Sequence, residues 1–132
     1  MRSKGWGRIV NLSGLAARQT GNAAGSMRNI AVAALTKNMA DELGPAGINL
    51  TVVHPGLTRT ERTAAHVAES AAAQGVSAEL IATQMASGNS IGHVVDASEV
   101  ADVVAFLCSP RSRAINGDVI AVGGDAPRAI HC

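Results

Sequence analysis

The stretch from Ile30 to Thr60 leaves the chain few choices. Apolar Val32, Leu35, Met39 and Leu43 recur at spacings of three and four, while Lys37, Asp41 and Glu42 fall off that stripe. This is the period of a half-buried α-helix, and it predicts a helix from about Met27 to Leu43. Gly44-Pro45 should stop it, because the residue before a proline avoids the helical region and proline has no amide to donate. Ile48, Leu50, Val52 and Val53 then form a short apolar run that ends at Pro55-Gly56. Such a run suits a strand covered on both faces, as in a parallel sheet.

The flanking segments repeat the theme. Arg8 to Ser13 is a strand-like run ending at Gly14, and Leu15 to Ser26, rich in Gly, Ala, Asn and Gln, is expected to be a loop. Glu61 to Gln84 is mostly Ala, Glu, Gln and Ser and predicts one or two short helices over something else, followed by a loop from Ser87 to Gly92. Ser98 is the expected N-cap of a further helix whose stripe is Val100, Val103, Val104 and Leu107, with Pro110 ending it. Asn116-Gly117 marks a turn, Val119 to Val122 a last buried strand, and Gly123-Gly124 its end. The expected fold class is α/β: Arg8 to Ser13, Asn49 to His54 and Asp118 to Val122 as three parallel strands, adjacent in chain order and joined by crossover helices.

Size and charge narrow the partners. A chain of 132 residues fits one domain, residues 1–132, and eleven Lys plus Arg against ten Asp plus Glu create no broad field for nucleic acid or an anionic membrane. No run approaches the roughly 20 apolar residues of a membrane span. The N-terminus carries charges and glycines where a signal peptide needs an apolar core, so a cytoplasmic location is expected. Cys108 and Cys132 have neither metal-like spacing nor a disulfide framework and are expected to be reduced bystanders. His54 lies just before Pro55-Gly56, and His66, His93 and His131 are scattered singly; no metal site is expected from them. Trp6 is expected to cap the edge of the first strand, and Glu61, Arg62, Arg111 and Arg113 to be solvated surface.

Three ordered segments then carry a resemblance: GRIVNLSG, AALTKNMADELGPAGINLTVVHPGLTRT and SEVADVVAFLCSPRSRAINGDVIAVGGD. In that order and spacing, from about Gly5 to Asp125, they resemble the C-terminal half of the short-chain dehydrogenases/reductases. The resemblance implies a partial doubly wound, Rossmann-like sheet in which the three strands correspond to the fifth, sixth and seventh. It implies NAD or NADP as cofactor and hydride transfer between the nicotinamide and an alcohol or carbonyl. Ser13 falls at or next to the family's substrate-binding serine, although the residue by itself is better read as ending a strand and satisfying a turn. Pro55, Gly56, Thr58 and Thr60 match the segment that holds the nicotinamide carboxamide and pyrophosphate; a strand stop followed by helix caps is the competing reading of the same residues.

The departures are as informative. The glycine-rich dinucleotide turn is absent from the sequence. Counting back from Leu35-Thr36-Lys37, the family's acid/base tyrosine falls on Gly25 and its lysine on Asn29, and the chain holds no tyrosine and only Lys4 and Lys37. Arg28 lies near by, but a guanidinium stays protonated. Hydride transfer by this chain alone is therefore expected to be absent. The alternatives are a non-catalytic piece that self-associates through the helix Met27 to Leu43, and a truncated relic of a longer dehydrogenase-like protein, because Met1 to Gly7 reads like the end of the helix before the fifth strand.

Overall fold

The computed structural model describes residues 1–125; His131 and Cys132 lie outside the described residues. Strands β1 (Gly7–Leu12), β2 (Ile48–Pro55) and β5 (Val119–Val122) form one parallel sheet in the order β1-β2-β5. Gly7 pairs with Ile48 and Leu12 with Val53, while Val52 pairs with Val119 and Pro55 with Val122. The middle strand is the most buried of the three, and Leu50, Val52 and Val53 are fully buried. The expectation of an α/β fold with three adjacent parallel strands holds.

Helix α1 (Ala23–Leu43) covers one face of the sheet. Ala40 and Leu43 meet Ile48 and Leu50, with Ile9, Met39 and Ala46 at the margin. Helix α4 (Ala97–Cys108) covers the other, where Val100 and Leu107 meet Val53 and Val95, flanked by Val10, Val103, Val104, Ile115, Ile120 and Val122. Helix, sheet and helix thus make three layers, as crossover connections require. Between β2 and α4 the chain inserts a second, two-stranded parallel sheet, β3 (Thr58–Arg59) with β4 (Val95–Asp96), and two helices, α2 (Thr63–Gln74) and α3 (Ala78–Ala86). The two short helices were anticipated; the small sheet was not, since two-residue strands leave no periodic signal.

Three local readings are corrected. Leu15 to Ser26 is not all loop: Leu15–Arg18 is a 3-10 turn and α1 begins at Ala23, where the Asn22 side chain accepts the Gly25 amide at 2.9 Å. The buried side of α1 is Gly25, Asn29, Thr36, Ala40 and Leu43, whereas Leu35 is 56% exposed. The expected stripe is rotated by roughly 60° on a wheel of 3.6 residues per turn, because small and hydrogen-bonded polar residues, not the largest apolar ones, allow the close approach to β2. Thr36 is one of them: its hydroxyl accepts from Asn11 Nδ2 and donates to the Val32 carbonyl, both at 2.8 Å. Finally, α4 is capped by Asp96 rather than Ser98, in a capping box whose Glu99 carboxylate accepts the Asp96 amide at 2.7 Å.

The turn from α1 into β2 explains one glycine. Gly47 has φ +76°, and a Cβ there would collide with the Gly5 carbonyl, so the N-terminal turn can lie directly against it.

Candidate active-site cleft

The C-terminal ends of β1, β2 and β5 converge on a cleft of about 400 Å³. Parallel α/β sheets place ligands at this end, where strands release the chain into loops. Gly14 and Leu15 follow β1, Pro55 and Gly56 close β2, Gly123 follows β5, and Met85 and Asn89 reach in from the end of α3 and its loop. No lysine or arginine is among the described residues lining it.

Its floor is main chain. The Gly56 amide donates to the Val122 carbonyl at 3.1 Å, and a Cβ on Gly56 would stand 2.8 Å from Gly123 Cα. The reverse substitution is as tight, with a Gly123 Cβ 2.7 Å from Gly56 Cα and from Leu15 Cδ1. Both positions therefore need glycine for space, independently of backbone angle.

The residues singled out from the sequence do not all reach this cleft. Pro55 and Gly56 line it. Thr58 donates its hydroxyl to the Gly56 carbonyl at 3.0 Å and faces a separate apolar groove between Leu12 and α4. Thr60, whose amide donates to Thr63 Oγ1 at 2.9 Å, lines a third hollow beside α2 and α3. Ser13 donates its amide to the Val53 carbonyl at 2.9 Å, but its Oγ is buried beneath α1 without a partner among the described residues.

Gly25 and Asn29 both lie on the buried side of α1. A Cβ on Gly25 would come within 2.8 Å of Asn22 Nδ2, the capping side chain. Asn29 Nδ2 donates to the Gly14 carbonyl at 3.2 Å, tying α1 to the residue that follows Ser13. The sequence reading missed this tie and the Gly56–Gly123 contact. Gly56 after β2 and Gly123-Gly124 after β5 were the available signal for the second; the first spans 15 residues and has no local one.

His54 also sits here, on β2 under α1, at 1% exposure and with both ring nitrogens unpartnered among the described residues. Burial first, and the Arg18 charge second, lower its pKa from the ordinary value. No group of three or more metal-ligating side chains exists among the described residues, and none of their helices is long and apolar enough to cross a membrane.

Comparison with known proteins gives one consistent answer. A family model described as enoyl-(acyl carrier protein) reductase matches residues 1–124. The short-chain reductase protein NovJ of Streptomyces niveus is 31% identical over 96% of this chain and 47% of its own length. The NADPH-dependent reductase BacG of Bacillus subtilis is 30% identical over 98% of this chain and 51% of its own. L-sorbose reductase from Gluconobacter frateurii, solved with NADPH and L-sorbose, shares the fold at a TM-score of 0.87, with 22% identity over 98% of this chain and 51% of its own. The chain spans about half the length of the curated relatives it matches.

Proposed function

The chain belongs to the short-chain dehydrogenase/reductase family, and from that premise we propose that it carries the nicotinamide-side half of an NAD(P)-dependent oxidoreductase site but supplies no proton relay of its own. The observation that carries this reading is Gly25 and Asn29, buried on α1 where the family resemblance calls for tyrosine and lysine, in a chain without any tyrosine. Without a group of suitable pKa beside the reacting oxygen, protonation of an alkoxide or deprotonation of an alcohol loses its general acid/base catalyst.

The cleft suits one end of a dinucleotide. Its floor of Gly56 and Gly123 backbone, flanked by the apolar Leu15 side chain, offers a flat ring peptide groups and an apolar contact. Bound there, the nicotinamide would supply or accept the hydride. NADPH is the form favoured by the resemblance to BacG. The cleft lining has no cationic side chain to hold a pyrophosphate, so affinity should be weak and confined to the nicotinamide end.

The test is turnover of simple ketones and secondary alcohols with either cofactor, beside binding of nicotinamide mononucleotide by calorimetry. Weak mononucleotide binding that disappears in Gly56→Val, with no turnover, is the expected result. Restoring Gly25→Tyr and Asn29→Lys together should not create activity, since the new side chain at position 25 displaces the Asn22 cap. Turnover that scales with protein concentration and vanishes in Ser13→Ala would refute the reading.

A second role rests on α1. Its outward face shows Met27, Ile30 and Leu35 at 66%, 53% and 56% exposure, opposite the buried side. That face supports self-association through α1, whether or not the cleft is used.

A further inference from the structure

A second hollow, of about 480 Å³, opens at the other end of the sheet, where β1 and β2 begin. Its charged lining is cationic throughout: Arg8 and Arg113 contribute to it, and no carboxylate does. Arg8 is held in place before any ligand arrives. Its guanidinium stands 5.2 Å from the Trp6 ring centroid, and Nη1 donates to the Gly7 carbonyl at 2.8 Å and to Asn49 Oδ1 at 3.3 Å. Its Nε is buried and without a partner among the described residues.

The opposite wall is fastened as firmly. Asn49 Nδ2 donates to the carbonyls of Arg113 at 2.9 Å and Ile115 at 2.8 Å. Asn116 accepts the Leu50 amide at 2.8 Å and donates to the Ala40 carbonyl at 3.2 Å. These bonds fix the backbone that carries Arg113 beside β2. The side chain itself has no hydrogen-bond or ion-pair partner among the described residues; their salt bridges are Arg2 with Glu42, Lys37 with Asp41, Arg59 with Asp96, and His93 with Glu99.

Two guanidinium groups that share a hollow without a counter-charge raise its potential and favour an oxyanion; the unengaged Arg113 offers a planar fork of N–H donors, and Arg8, its Nη1 already bonded and its Nε buried, adds chiefly charge. Trp6, 47% exposed, adds a flat apolar wall. We infer that this hollow is a ligand site, separate from the cleft at the opposite end of β2, for a small aromatic molecule bearing a carboxylate or phosphate: the oxyanion between Arg8 and Arg113, the ring against Trp6.

Trp6 is the only tryptophan and there is no tyrosine, so intrinsic fluorescence reports on this hollow alone. The full chain is titrated with phenyl phosphate and with benzoate, using inorganic phosphate and cyclohexanecarboxylate as controls. Saturable change in emission with the aromatic anions, weakened by added salt and by at least tenfold in Arg113→Gln, is the expected result. Arg113→Gln is the primary variant because its side chain holds nothing else in place, and an unchanged melting temperature verifies its fold. A response that does not saturate, that persists unchanged in Arg113→Gln, or that inorganic phosphate reproduces at equal concentration overturns the inference.

Discussion

At His54 the core of the molecule holds an imidazole that cannot take a proton cheaply. The ring lies on the central strand, paired in register with Ala121, and on the same side of the sheet as Ser13, whose hydroxyl is also buried and unpartnered among the described residues. The pKa is lowered in the folded state, by desolvation and then by Arg18, so the unfolded chain binds a proton more readily. Stability is therefore full above the unfolded value of about 6.5 and declines as pH falls through it, until the folded imidazole is itself protonated. One such proton contributes a slope of at most about 1.4 kcal/mol per pH unit. Urea unfolding between about pH 5 and 7.5 should show this slope, and His54→Leu should flatten it. An identical pH dependence in the variant would exclude His54 as its source. The sequence marked His54 as a non-ligand without revealing its burial: the unfavourable site exists because neighbouring strands and α1 close over it, a tertiary fact. Gly25 and Asn29 could be placed by counting, but the Asn29 amide reaching the Gly14 carbonyl depends on how β1 docks beneath α1.

At the level of elements, α1 depends on its first turn. Asn22 satisfies the Gly25 amide, one of the donors a helix start leaves open, and Gly25 itself has the poorest helix propensity after proline. Asn22→Ala should cost about 1 kcal/mol. For a domain of this size that lowers Tm by roughly 3 to 6 °C, measurable by thermal circular dichroism. Asn22→Asp should keep most of the stability, since a carboxylate caps as well; equal melting of Asn22→Ala and the parent would mean the cap is idle. The same helix shows what periodicity can and cannot tell. Its existence and its end at Gly44 were legible, because Pro45 and the three-four spacing are local signals. Its start and its buried side were not, because Gly25 is buried through its size, and Asn29 and Thr36 through hydrogen bonds to Gly14 and Asn11, none of which hydropathy marks. Helix α4 matches its expected stripe, because Val100, Val103, Val104 and Leu107 are aliphatic and turned inward, while the larger Phe106 lies off that stripe and is 44% exposed.

For the whole molecule, two outer sides are sparsely covered. Among the described residues β1 pairs only with β2, leaving one row of strand amides and carbonyls unpaired, and α1 exposes Met27, Ile30 and Leu35. Burying each such side chain is worth roughly 1.5 to 3 kcal/mol, a sizeable share of the about 5 to 15 kcal/mol that holds a domain folded. Sedimentation velocity over low to high micromolar concentration should accordingly show a rising weight-average coefficient. Leu35→Glu, on an exposed site, should return the monomer without lowering Tm. A species of monomer mass at every concentration would rule out self-association through α1. At the C-terminal end of the sheet the constraint is of another kind. Because Gly56 and Gly123 touch through their main chains, a side chain put at either position forces β2 and β5 apart. Divergence among descendants of this chain can therefore re-shape the rim, through Gln19, Leu57, Met85 or Asn89, and leave the floor unaltered, so that new selectivity would have to be written around an inherited base that cannot itself evolve.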